Sequence, residues 1–191
     1  MTDIRILSGT SKATKLSSLD GQHTRPTRGR VVENIFNILA HNPYVENFSF
    51  RNQTILDVFA GSGRLGLEGL SRGAHYACFI DNDAEARKII HQNIHKCRFT
   101  QESAVLAQNA TSLSINPQKR LFSLVFCDAP YQKNMSESVV HSLINKGWLA
   151  NNALLCIETE KTYNLPQIPY MIKLDQRDYG LTRVYFLKYT Q

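Results

Sequence analysis

Between residues 53 and 158 the chain alternates short apolar runs with stretches whose apolar residues recur at helical spacing. Ile55, Leu56, Val58 and Phe59 form a β-forming run that predicts a strand over 53–59. Similar runs predict strands over 75–81, near 103–108, over 121–127 and over 153–158, with helices over 64–72, 83–96 and 135–146 between them. Ala86, Ile89, Ile90 and Ile94 give the 83–96 helix a buried stripe, and Gly73 stands where a left-handed C-cap ends the helix before it. Upstream, residues 3–7 alternate and predict a short strand, and the Gly-, Ser-, Thr- and Lys-rich stretch 8–27 reads as loop or a small hairpin. A helix is expected to begin near Thr27 as N-cap, to bury Val31, Val32, Ile35, Phe36, Ile38 and Leu39, and to stop at Asn42-Pro43. Downstream, 170–175 and 182–188 alternate around Asp178-Tyr179-Gly180 and predict a terminal antiparallel hairpin.

Strand–helix alternation of this kind implies an α/β fold with a doubly wound, mostly parallel sheet covered on both faces. Ligands of such sheets sit beyond the carboxyl ends of the strands. Asp57, Asp81, Asn109 and Asp128 all fall at or just after predicted strand ends, so one side of one sheet is expected to gather them.

Two of these ends carry chemistry. Asp57-Val58-Phe59-Ala60-Gly61-Ser62-Gly63 reads as strand, glycine turn and helix start, a place where a nucleotide-like ligand lies against bare backbone. Gly61, Gly63 and Gly66 also satisfy the dinucleotide fingerprint, with Asp81 about twenty residues on. A carboxylate ahead of the turn argues against a pyrophosphate and suits the ammonium of an amino-acid tail. Asp81 is then the acceptor for ribose hydroxyls, and Asn109 a partner for the adenine edge. The second end, Asp128-Ala129-Pro130-Tyr131, has no evident use in a dehydrogenase. Together the two ends point to S-adenosylmethionine at the first turn and an amine methylated at the second.

Length and composition narrow the setting. A chain of 191 residues, 42% hydrophobic and 20% charged, suits a single soluble domain over 1–191. No run is long enough for a membrane span and no signal sequence is evident, so the expected location is cytoplasmic. Cys78, Cys97, Cys127 and Cys156 form no CxxC pair and read as core hydrophobes. His91 and His95 share a helix face but lack a third ligand, so no metal site is expected. The net charge is +6, and residues 1–30 hold six basic side chains against two acidic ones. That concentration makes 1–27, read as a basic N-terminal extension or hairpin, a candidate footprint for nucleic acid.

With these motifs in view, the chain resembles the bacterial small-subunit rRNA guanine methyltransferases of the RsmD type. The likeness is carried by Thr24-Arg25-Pro26-Thr27 running into Val32-Glu33-Asn34-Ile35-Phe36, by Asp57 to Gly63, by Gly66-Leu67-Glu68 with Leu70-Ser71-Arg72-Gly73-Ala74, and by Tyr179-Gly180-Leu181-Thr182-Arg183. The resemblance implies a class I methyltransferase fold with seven strands, the last antiparallel. It implies methyl transfer to the exocyclic N2 amine of a guanine in 16S rRNA, free or in the assembling small subunit, by a protein expected to be a monomer. It also implies that Asp57, Phe59, Gly61, Ser62 and Gly63 hold the cofactor and that Arg25 and Thr27 close over it. Ala129 stands where the family usually has a first proline, and Ser8-Gly9-Thr10 where it has a Gly-Gly pair.

A guanine amine is a poor nucleophile because its lone pair is delocalised into the ring. Asp128 and the Ala129 carbonyl offer two acceptors for its hydrogens, Tyr131 a surface on which the base stacks, and Pro130 a stiffened turn. The same chemistry serves other planar amines, so DNA adenine or cytosine and protein glutamine are alternative acceptors. A catalytically weak RNA-binding assembly factor that kept the fold is another alternative.

Overall fold

The alternating runs fold into one mixed sheet. The computed structural model describes residues 4–18, 26–41, 48–117, 119–130 and 135–191, with backbone alone at 26–28. Its elements are α1 (Pro26–His41), β1 (Thr54–Val58), α2 (Arg64–Ser71), β2 (Tyr76–Ile80), α3 (Ala84–Cys97), β3 (Ser103–Leu106), β4 (Phe122–Asp128), α4 (Met135–Asn145), β5 (Leu149–Glu160), β6 (Met171–Tyr179) and β7 (Thr182–Tyr189). The strand order is β3-β2-β1-β4-β5-β7-β6. The strands β1 to β5 pair in parallel, and β7 runs antiparallel to both of its neighbours. The α/β class, the seven strands and the terminal hairpin are those expected.

Side chains alternate across each strand, and the sheet accordingly has two cores. Ile55, Ala77, Phe79, Leu124 and Phe126 meet α1, α2 and α3 on one face. Leu56, Val58, Cys78, Val125 and Ile157 meet α4 and Trp148 on the other. All four cysteines are free and buried within these layers, as core hydrophobes. Burial holds the Cys97 thiol up to about 11 and that of Cys78 up to about 12, so both are protonated at neutral pH.

Two boundaries differ from expectation. α1 begins at Pro26, so Thr27 lies inside the first turn rather than capping it; proline's fixed φ suits the first helical position. The expected stop at Asn42-Pro43 lies outside the described residues. Where a strand is expected over 3–7, residue 3 lies outside the described residues and residues 4–7 form no strand: a single bridge joins Arg5 to Lys15, and Ile6 N–H donates to the Thr14 carbonyl at 3.1 Å while Leu16 N–H donates to that of Ile4 at 2.8 Å. The small hairpin so formed is no loose tail, because Ile6 and Leu16 are buried in the core under α1 to α3. Among the described residues, no helix is long and apolar enough to cross a membrane.

Candidate active site

Four of the five parallel strands, β1, β2, β4 and β5, each deliver one acidic side chain to the same face at the carboxyl edge of the sheet. Asp57 follows Ile55 by two residues, Asp81 follows Phe79, Asp128 follows Phe126 and Glu158 follows Cys156, and all four leaders belong to the α1–α3 core. Period-two alternation therefore turns all four carboxylates the same way. Register aligns them: Asp57 lies opposite Phe79 and Phe126, and Asp128 opposite Glu158.

The glycine loop links the first of these ends to α2. Phe59 has φ 56°, Gly61 φ 56° and Gly63 φ 75°. An aromatic residue in the left-handed region costs on the order of 1–3 kcal/mol and persists where the surroundings enforce it. Here they do. Gly63 N–H donates to the Ala60 carbonyl at 2.7 Å, and Ala60 N–H to that of Ile80 at 3.2 Å. Asp81 Oδ2 accepts from Gly61 N–H at 2.9 Å, and its Oδ1 from Asp83 N–H at 3.0 Å. Asp57 Oδ2 accepts from Gly66 N–H at 2.8 Å. The N-cap of α2 makes no side-chain cap hydrogen bond, so Asp57 satisfies one of the helix's orphan donors from the strand that leads into it. Gly66 is required by packing, since a Cβ there would run into the Phe79 ring and sit 3.3 Å from the Asp57 Cβ.

These groups open into a cavity of about 370 Å³, lined by Asp57, Phe59, Gly61, Ser62, Asp81 and Asp128 together with Ala129, Pro130 and Glu158. That volume is in the range of small-molecule sites. Burial pushes the Asp57 carboxyl well above the usual carboxylate range; the Gly66 N–H opposes this, and the charges of Asp128 and Asp81 reinforce it. The pocket thus favours a cation at Asp57. Arg64, at the start of α2, lines the same cavity. Its Nε is buried without a hydrogen-bond partner among the described residues, and burial lowers its pKa against the pull of Glu68.

The N-terminal hairpin is tied to this loop. Asn93, fully buried on α3, accepts from Ser17 N–H at 2.8 Å through Oδ1 and donates through Nδ2 to the carbonyls of Ser17 and Ser62, each at 2.9 Å. Glu68, also fully buried, accepts from Leu7 N–H and from Arg72 Nε, both at 2.7 Å. The Arg72 guanidinium lies 4.8 Å from the Phe36 ring centroid, in cation–π range.

The cavity therefore gathers Asp57, Phe59, Gly61, Ser62, Asp81, Asp128, Ala129 and Pro130. Gly63 shapes the loop from behind, against Phe79 and Ile90. Asn109 is the exception: it does not line the cavity. Its Oδ1 accepts from Thr111 N–H at 3.0 Å and Thr111 Oγ1 at 2.9 Å, capping a short turn; local turn chemistry holds its carbonyl end. Arg25 and Tyr131 lie outside the described residues, and of Thr27 only the backbone is described. The sequence reading missed Arg64, Asn82, Asp83 and Glu158, all of which line the cavity. Glu158 obeys the rule that found the others, a carboxylate closing an apolar run. Among the described residues no group of three or more His, Cys, Asp or Glu side chains could hold a metal.

Comparison with known proteins bears on this geometry. The model of a family described as conserved hypothetical protein 95 matches residues 4–188. Ribosomal RNA small subunit methyltransferase D of Haemophilus influenzae is 35% identical over 161 residues, covering 83% of this chain and 80% of that protein. The Escherichia coli protein of the same name is 35% identical over 167 residues, covering 87% and 79%. A solved Escherichia coli structure described as that of a methyltransferase superimposes with a TM-score of 0.81 at 28% identity, over 99% of each chain.

Proposed function

The chain belongs to the conserved hypothetical protein 95 family, and from that premise we propose that it transfers a methyl group from S-adenosylmethionine to the exocyclic N2 amine of a guanine in 16S rRNA. The observation that carries this reading is that Asp128 and the glycine loop open into one cavity. A donor held at the loop and an amine held at Asp128 are then within reach of each other, and proximity supplies much of the rate.

The residues present fit the donor. Its zwitterionic amino-acid end needs a carboxylate for the ammonium and a cation for the carboxylate. Asp57, whose pKa is raised by burial and by the charges of Asp128 and Asp81, meets the first need, and the buried Nε of Arg64, without a partner among the described residues, points to the second. Asp81, already fixed by Gly61 and Asp83, retains lone pairs for ribose hydroxyls. Asn82 and Asp83 at the rim are candidates for the nucleoside base, in place of Asn109. When bound, S-adenosylmethionine supplies an electrophilic sulfonium methyl.

Asp128 accepts a hydrogen from the guanine amine, and the Ala129 carbonyl accepts the other. This localises the nitrogen lone pair and stabilises the positive charge that develops on it. Asp128 also offers a place for the released proton. Alanine at 129 keeps that carbonyl and loses only the rigidity of a proline, on the order of 0.4–1 kcal/mol. Tyr131 stacks on the base, and Arg25 and Thr27 close over the donor. Arg5, Lys12 and Lys15, all exposed on the hairpin, grip RNA phosphates. The substrate is the small-subunit rRNA, free or in an assembling particle, and the setting is the cytoplasm.

The test is transfer of labelled methyl to small-subunit rRNA by the purified protein. Transfer that Asp128→Ala abolishes is expected. Transfer that survives this substitution undiminished would overturn the assignment.

A further inference from the structure

We propose that Glu158 reads the Watson–Crick edge of the acceptor base and restricts the site to guanine, an inference that rests on the methyl-transfer reading above. Glu158 lies on β5 opposite Asp128 of β4 in parallel register. Neighbouring strands run about 4.8 Å apart, so the two carboxylates stand abreast on one wall. Both line the cavity that holds the glycine loop. Glu158 is 7% exposed. A carboxylate has two oxygens and about four lone-pair sites, so Glu158 can accept from a ligand as well as from its neighbours.

The chemistry of the base says what the use is. Guanine presents two adjacent donors on this edge, the exocyclic amine and the ring N1–H. Two acceptors side by side match that pair. Asp128 takes the amine, and Glu158 takes N1–H. Adenine and cytosine present an amine beside a ring-nitrogen lone pair. With either of these, Glu158 would face a lone pair across a buried contact. A site built to hydrogen-bond a donor rejects analogues that lack it far more strongly than a shape filter does. Glu158 thereby supplies a selectivity that Asp128 alone lacks, because an acceptor for one amine suits guanine, adenine and cytosine alike.

The experiment compares two RNAs whose target bases share the 2-amine and differ at N1 and C6, 2-aminopurine lacking both the N1 hydrogen and O6. One small-subunit rRNA transcript carries guanosine at the methylated position. The other carries 2-aminopurine riboside there, which keeps the 2-amine but presents a lone pair at N1. For the wild type, kcat/KM on guanosine is expected to exceed that on 2-aminopurine by at least about 100-fold. For Glu158→Gln, whose amide can donate to N1, the ratio is expected to shrink by at least about 10-fold, with the guanosine rate reduced. Glu158→Asp keeps an acceptor and is expected to keep the preference at lower kcat/KM.

A wild-type ratio near one would overturn the inference, and this comparison needs no variant to fold. So would a Glu158→Gln variant that slows both substrates equally, as a merely structural role requires. Absence of transfer to either RNA by the wild type would overturn the methyl-transfer reading and this inference with it.

Discussion

Replacing Asp57 with Asn separates what this carboxylate does for the ligand from what it costs the fold. The side chain is 2% exposed, and burial together with the charges of Asp128 and Asp81 holds its pKa well above 3.8. The unfolded chain has the ordinary value, so the folded state binds the proton more tightly. Stability from this group is therefore greatest in acid and falls as pH rises from the ordinary carboxylate range through the raised value. Asn has no such penalty, and its Oδ1 can still accept from Gly66 N–H. The ligand-free variant should thus be more stable than the wild type at neutral pH, and the advantage should vanish below about pH 4.

Donor binding should move the other way. Loss of a charged partner for the ammonium removes about 1.5–3 kcal/mol, or about 10- to 150-fold in Kd. Calorimetric titration with S-adenosylmethionine, repeated in buffers of different ionisation enthalpy, reads both effects. The wild type should release a proton on binding where Asp57 is protonated, and the variant should not. Equal donor affinity in wild type and variant would refute the role given to Asp57. Lower stability of the ligand-free variant across the whole pH range would refute the electrostatic cause.

Gly66→Ala drives a Cβ into the Phe79 ring. Overpacking of that kind costs about 1–3 kcal/mol, against at most ~1 kcal/mol regained in helix propensity, so a lower urea midpoint is expected. Glu68→Ala leaves the Leu7 N–H without its acceptor and Arg72 without its charge partner. Breaking a buried pair costs about 3–5 kcal/mol, and thermal melting should show a loss of that order. Arg5→Ala, Lys12→Ala and Lys15→Ala together should weaken RNA binding and flatten its salt dependence. If all three touch phosphates, the slope of log K against log salt should fall in magnitude by about 2–3; an unchanged slope would move the RNA to another face.

The centre of the sheet was legible because β1, β2, β4 and the second half of β5 are buried and read as apolar runs closed by carboxylates. β5 was underestimated: it starts at Leu149, four residues before its apolar run, because Asn151 and Asn152 look like a turn and Asn152 indeed has φ 62°. β6 continues to Tyr179 through charged residues that pair with β7, where exposure hides the pattern. Within the site, Asp57, Asp81 and Asp128 were readable from their places at strand ends. Asn109 shares that kind of place, but its own turn claims its side chain. Asn93 was invisible because its role is tertiary: a polar residue on a helix interior shows nothing of the two distant carbonyls it joins. Glu158 closes an apolar run as the aspartates do and was readable by the same rule, but its place beside Asp128 follows from the strand order, which the sequence does not show.

The most direct measurement is the identity of the methylated atom. Small-subunit rRNA would be incubated with the purified protein and a donor carrying a trideuterated methyl, digested to nucleosides and analysed by mass spectrometry against standards. Labelled N2-methylguanosine at a single position is the expected product. Label on a ring nitrogen, a ribose or another base, or none at all beside a bound donor, would contradict the pairing of Asp128 with a guanine amine.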